Sequence, residues 1–308
     1  MSWIGPKEAA RELTVVLLDR APNKTEKSDV GALPLATTPA KVSVKIGPFS
    51  YQIESENSTW LQPLSGKLEK STQTSPDRIF KIIGDETVLL PPEPAGWIYD
   101  VNAIFGRNKQ IFVGPEFKLE FNLEDDLATA WVDPNLKERF YIRPIENALR
   151  ILVAYDVIRR GGVLLHSAGI ARDDVAHVFV GQSGAGKSTL CKTSLDDPSC
   201  EILSDELNIL LPEDGNLFSY SMPFAGDFGG KGSKAYLVKR LAAITQANAS
   251  SMTKAKGSRM LSRCCANAPF VNGNPFVIDS LLSNVSKALE LTDSVSMELV
   301  LGDKPWTW

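Results

Sequence analysis

Nine consecutive residues constrain this chain more than any others: Gly181, Gln182, Ser183, Gly184, Ala185, Gly186, Lys187, Ser188 and Thr189. From Gly181 to Ser188 they spell the complete phosphate-binding pattern G-x-x-x-x-G-K-[ST]. Such a loop works only between a strand and a helix. Ala176–Val180, a short apolar run bounded by turns, reads as a buried strand, and Lys187–Ser194 reads as the first two turns of a helix. Gly181, Gly184 and Gly186 let the backbone curl so that its N–H groups converge on phosphate oxygens. The helix N-terminus adds the positive end of its dipole. Lys187 is expected to reach the β- and γ-phosphates, and Ser188 to place its hydroxyl on Mg²⁺. The competing reading is a chance glycine-rich turn, and the strand and helix on either side weigh against it. ATP and Mg²⁺ are therefore the expected ligands.

A P-loop needs a carboxylate from a nearby strand to hold the metal or handle the nucleophile. Here it arrives early. Cys200–Ser204 is strand-like and runs into Asp205-Glu206, eighteen positions after Lys187. That interval holds one short helix and a turn at Asp196-Asp197-Pro198. No Asn-Lys-x-Asp guanine-reading motif follows, and the Leu-Ser-Gly at Leu64 lies upstream of the loop, the wrong side for a transporter signature. The large P-loop classes fit poorly.

One hairpin before the loop stands Leu165-His166-Ser167-Ala168. Taken in order, Leu-His-Ser-Ala, the P-loop and Ile202-Leu-Ser-Asp-Glu206 resemble the C-terminal catalytic domain of the HPr serine kinase/phosphorylase family. More distantly they are similar to ATP-dependent phosphoenolpyruvate carboxykinase. The resemblance covers roughly residues 145–308. It implies that Asp205 is the base taking the proton of a substrate hydroxyl, that Glu206 stands where the family has a second Asp, and that His166 sits beside the transferred phosphate. It implies catalytic roles for Asp205, His166 and Lys187, and a metal held by Ser188, Asp205 and Glu206. The chain also departs from the family. Met222–Gly232 replaces its glycine-rich signature, and the first 140 residues do not resemble the bacterial kinase's N-terminal domain. The acceptor need not be HPr.

Composition excludes several classes. With 33 basic and 37 acidic residues, net charge −4, the chain lacks the basic excess of a nucleic-acid binder. Its four cysteines have no C-x-x-C spacing and read as reduced thiols, and two histidines leave little for a zinc site. The apolar run Leu13–Leu18 is too short for a signal peptide, and no stretch approaches a membrane span. A cytoplasmic enzyme is expected, with no nucleic acid and no membrane among its partners. The sequence leaves a homo-oligomer open.

Three regions follow along the chain. Residues 1–20 suggest a short helix, and 21–41 a polar, proline-bearing linker, so 1–41 forms an N-terminal segment. Residues 42–142 form a mainly β accessory module: Lys41–Ile46 and Phe49–Ile53 alternate about Gly47-Pro48 as a hairpin, with strand signals at Ile79–Ile83, Trp97–Val101, Lys109–Val113 and Phe117–Phe121. Residues 143–308 form the P-loop domain. Pro144 opens an amphipathic helix, Ile145–Ile158, with Arg159-Arg160 at its end and Gly161-Gly162 beyond. The expected fold is α/β with α+β character, a phosphoenolpyruvate-carboxykinase-like P-loop kinase domain preceded by the smaller β module.

Other residues carry two readings each. His166 is either a core histidine or a phosphate neighbour. His177 reads as packing or surface. Gly226–Gly232 with Lys231 and Lys234 is either an ordinary loop or one that closes over phosphate, and Arg259 and Arg263 read as solvated helix residues. Asp303–Trp308 reads as a C-terminal segment packing its aromatics on the domain. The function expected is a Mg-ATP-dependent kinase acting on a hydroxyl, with a serine of a protein or peptide as acceptor implied by the resemblance. A nucleotide-binding regulatory ATPase or switch module, and a small-molecule kinase, stay open.

Overall fold

The computed structural model describes residues 38–86, 101–114, 116–135, 142–224, 226–229 and 234–304. The expected helix in 1–20, the linker up to residue 37, positions 97–100 of the strand signal before Val101, Lys231 and the C-terminal tryptophans lie outside these residues. Among the described residues, no helix is long and apolar enough to cross a membrane.

The chain is a mixed α/β structure dominated by two eight-stranded sheets. The first is built from β1 (Ala40–Ile46), β2 (Phe49–Ser55), β3 (Glu69–Lys70), β4 (Arg78–Gly84), β5 (Asn102–Phe105), β6 (Lys109–Gly114), β7 (Phe117–Asn122) and β8 (Leu127–Val132). Their order is β3-β1-β2-β4-β8-β7-β6-β5. Alternation explains most of them: β7 buries Phe117, Leu119 and Phe121, while Lys118 and Glu120 point to the other face. Gly47-Pro48 turns β1 into β2, pairing Ile46 with Phe49.

The second sheet holds β9 (Val163–Arg172), β10 (Val175–Val180), β11 (Cys200–Ser204), β12 (Leu207–Glu213), β13 (Asn216–Ser221), β14 (Ala235–Gln246), β15 (Ser251–Lys254) and β16 (Asp293–Leu299). Its pairing closes on itself, because β10 bonds to both β9 and β14 while β12 and β13 join those two on the far side. β10 and β14 run parallel, as do β14 and β16. Three further helices belong to this half: α2 (Lys187–Ser194), α3 (Gly257–Ala266) and α4 (Ile278–Glu290), numbered after α1 (Ile142–Arg159).

α1 joins the two sheets. The sequence suggests an amphipathic helix, but every residue from Pro144 to Ile158 is buried, including Glu146, Asn147, Arg150 and Asp156. The polar residues face protein partners instead of water. Asp156 takes Arg78 from β4 (Nη2–Oδ1 2.5 Å) and the hydroxyl of Tyr51 from β2 (2.8 Å). Arg150 donates to Asn147 (2.6 Å) and to the carbonyl of Phe224 (3.2 Å). Buried charges persist only when paired in this way. One hydrophobic cluster runs from Phe49, Ile53 and Phe80 of the first sheet through Leu149, Leu152 and Tyr155 to Leu164 and Leu210 of the second. Residues 38–308 make one compact unit.

Candidate functional site

The P-loop leaves the C-terminal end of β10 and enters α2. Gly184 and Gly186 adopt φ of +78° and +99°, values that an L side chain tolerates poorly, which is the local reason the sequence places glycine there. Gly186 caps α2, and the amides of Lys187, Ser188 and Thr189 that follow have no carbonyl one turn behind them inside the helix. Gln246, the last residue of β14, donates to the carbonyl of Gly184 (2.6 Å) and fixes the outer arc of the loop. α2 seats Leu190 and Cys191 on Ala168 and Ile170 of β9 and on Ile244.

Lys187 folds back on its own loop. Its ammonium donates to the carbonyls of Gly181 (2.8 Å) and Gln182 (3.2 Å), and among the described residues it pairs with no carboxylate. Burial lowers its pKa, so an anion arriving at the loop would stabilise its charged form.

The acidic pair sits on a chain reversal between β11 and β12. Ser204 Oγ accepts from the amides of Glu206 and Leu207 (both 3.1 Å), and Asn208 braces the turn by donating to the carbonyl of Ser167 (2.9 Å) and to that of Ser204 (3.3 Å). Ser167 in turn donates its amide to the carbonyl of Glu206 (2.9 Å). The pair is thus tied by main chain to the strand that carries His166. Asp205 is 6% exposed, and its two oxygens accept the amides of Asp227 and Phe228 (both 3.3 Å). Gly226 lies so close that a Cβ there would meet Asp205 Oδ1 at 2.9 Å. An ionised carboxylate has about four lone-pair positions, so two bonds to main chain leave it able to accept more.

His166, at the β9 position paired with Leu207, donates its amide to the carbonyl of Asn267 (2.7 Å) at the end of α3. Burial, and secondarily the Lys187 charge, push its pKa down to about 4, so the ring is neutral near pH 7.

These parts converge. A cleft of about 1090 Å³ is lined by His166, Lys187, Ser188, Thr189, Asp205 and Glu206, and by the loop residues Gly181, Ser183, Gly184 and Gly186. Gln182 and Ala185 belong to the same loop without lining it. Of the other sequence candidates, Gly226 and Asp227 of the Gly226–Gly232 loop also line the cleft, while His177, Lys234, Arg259 and Arg263 do not. His177 is buried on β10, with its pKa lowered to about 4 by burial and by Arg240. Lys234 pairs with Asp174 (3.6 Å) and lies over the Tyr236 ring. Arg263 donates to the carbonyl of Ile244 (3.3 Å), and Arg259 is exposed. All four cysteines are free thiols.

The cleft also contains residues that sequence reasoning did not single out as site residues: Gln246, Asn267, Phe270 and, from the first sheet and the residue that leads into β5, Ala103, Phe105, Phe112 and Val101. Their signal is spatial, since they come from segments far from the P-loop in sequence. Among the described residues no set of three or more His, Cys, Asp or Glu side chains forms a metal-binding group. Mg²⁺ does not require such a cage. It is typically held by one or two carboxylates, phosphate oxygens and water, and the donors lining this cleft, the Ser188 hydroxyl with Asp205 and Glu206, fit that chemistry. No protein-family model matches the chain, and no curated protein matches it either.

Proposed function

We propose that this protein is a Mg-ATP-dependent phosphotransferase whose acceptor is a hydroxyl, a serine of a protein or peptide, built on a P-loop kinase domain of the HPr-kinase and phosphoenolpyruvate-carboxykinase type. The observation that carries the reading is the meeting of a complete P-loop and the Asp205 carboxylate in one cleft. The loop amides and Lys187 would hold the β- and γ-phosphates. Ser188, Asp205 and Glu206 would hold Mg²⁺, which supplies neutralisation of charge on the phosphate oxygens. Asp205 accepts the proton of the attacking hydroxyl as its oxygen bonds to the γ-phosphorus and the bond to the β,γ-bridging oxygen breaks, releasing ADP. The neutral His166 ring offers hydrogen bonds to the transferring group without adding a charge.

The test is Asp205→Asn. The amide keeps the shape of the carboxylate and cannot take the proton, so transfer from γ-labelled ATP to cell-extract proteins should fall by about 10²–10⁴. For a base, Mg-ATP affinity, read by calorimetry, should change far less; weakened Mg-ATP binding with a rate partly rescued by extra Mg²⁺ would make Asp205 chiefly a metal ligand. Equal labelling by both forms would remove Asp205 from the base role. Binding of Mg-ATP with no acceptor labelled by either form would favour a regulatory nucleotide switch.

A further inference from the structure

One wall of the cleft has no use for a triphosphate. Val101, the residue before β5, and Ala103 and Phe105 on β5 line the cleft at every second position, and Ala103 pairs with Phe112 on β6, which lines it too. Phe105 and Phe112 meet edge to face at 6.0 Å, and Phe112 packs on Tyr155 of α1 at 5.8 Å. Phe112 is fully buried, whereas Val101, Ala103 and Phe105 remain partly exposed. Pro269 and Phe270 continue the apolar surface.

The wall is braced. Asn274, fully buried, donates to Gln110 Oε1 on β6 and to the Tyr155 hydroxyl (both 2.8 Å), and that hydroxyl donates to the carbonyl of Phe270 (3.1 Å). This polar chain ties the first sheet to the 267–274 segment. Phe270 itself has φ of +68°, a conformation that is an outlier for a bulky side chain and is kept only where the surroundings enforce it.

The nucleotide's direction separates this wall from the base. Lys187 of a P-loop reaches the β- and γ-phosphates, so the γ-end lies toward Lys187, Asp205 and His166. Thr189, Gln246 and Leu301 line the cleft as well and also border a smaller hollow beside the start of α2. The apolar wall belongs to the γ-end: its 267–270 part is bonded directly to the His166 main chain through Asn267. The cleft, about 1090 Å³, stands at the upper end of the roughly 300–1,000 Å³ of ligand sites.

We propose that Val101, Ala103 and Phe105, backed by the buried Phe112, form the acceptor subsite, and that it takes an apolar side chain, aliphatic or aromatic, next to the serine of an acceptor peptide. The proposal rests on the phosphotransferase reading above. The accessory sheet thereby selects the substrate while the second sheet does the chemistry.

The experiment scans synthetic peptides with one central serine flanked by Leu or Phe, by Gly, by Glu, or by Lys, using γ-labelled Mg-ATP. The native protein should label the Leu and Phe peptides with a KM at least tenfold below the others. Ala103→Glu should lose that preference and favour Lys flanks, and Ala103→Lys should favour Glu flanks, with Mg-ATP affinity as in the native protein. A merely structural role for Ala103 would lower transfer to every peptide alike. If the native protein binds Mg-ATP and labels peptides regardless of flanks, or labels apolar small alcohols and no peptide, the subsite is overturned while phosphotransfer stands. The native scan decides this even if both variants fold poorly. Absence of Mg-ATP binding would instead overturn the function reading beneath it.

Discussion

Asp205 is held by the main chain around it. The amides of Asp227 and Phe228 fix both of its oxygens, and Gly226 packs against the carboxylate with no room for a methyl group. Adding one tests how finely the carboxylate is placed. Gly226→Ala should push Asp205 by part of an ångström, and displacements of that order cost up to about a hundredfold in rate. We expect transfer to fall tenfold or more while Mg-ATP affinity and the urea midpoint stay near native values, measured by calorimetry and denaturation. Native rates in this variant would mean that the close approach is packing alone. Residues of this kind separate what the sequence discloses from what it hides. The meeting of the P-loop and Asp205-Glu206 in one cleft was legible because each motif is local and the interval between them short. Gln246 was not, and Gly226 was read only as part of a loop, since the contact that each makes forms only when distant segments fold together.

At the scale of elements, α1 is where sequence reading and structure diverge most usefully. Its start near Pro144 and its end before Gly161-Gly162 are written in the chain. Its surroundings are not, because Asp156, Arg150 and Glu146 look like a solvated face until distant segments cover them: Arg78 and Tyr51 at Asp156, Phe224 at Arg150 and Lys67 at Glu146. The same covering explains why β5 gave no clear signal: a four-residue strand whose side chains form a cleft wall has too short a period to read. Arg78, fully buried on β4, answers Asp156 across the sheet–helix junction. Removing one partner leaves the other charge buried, with an expected cost of about 3–5 kcal/mol. Arg78→Met should therefore lower the urea-unfolding free energy by that amount, and Arg78→Met with Asp156→Leu should recover much of the loss. A single variant as stable as the native chain would mean that Arg159, 3.7 Å from Asp156, or water takes up the charge that Arg78 leaves.

At the scale of the whole molecule, both histidines of the chain are held neutral. Burial is the first cause for each, with Lys187 adding to it at His166 and Arg240 at His177, and both pKa values are pushed down to about 4. In the unfolded chain each would titrate near 6.5. Between those values the unfolded state binds more protons than the folded one, so stability rises with pH there and is lost as pH falls from about 6.5 toward 4. Above pH 7 neither state is protonated at these sites, and below about 4 both are, so the slope belongs to that window alone. Each histidine should withdraw about 1–2 kcal/mol between pH 7 and pH 5, before most carboxylates begin to titrate. His177 lies away from the cleft and can be replaced without touching the proposed chemistry. We expect urea midpoints measured at pH 7 and pH 5 to differ less in His177→Gln than in the native protein, with the remaining difference owed mainly to His166. Equal differences in the two proteins would mean that His177 takes up its proton as readily folded as unfolded, and the burial argument for that histidine would fall.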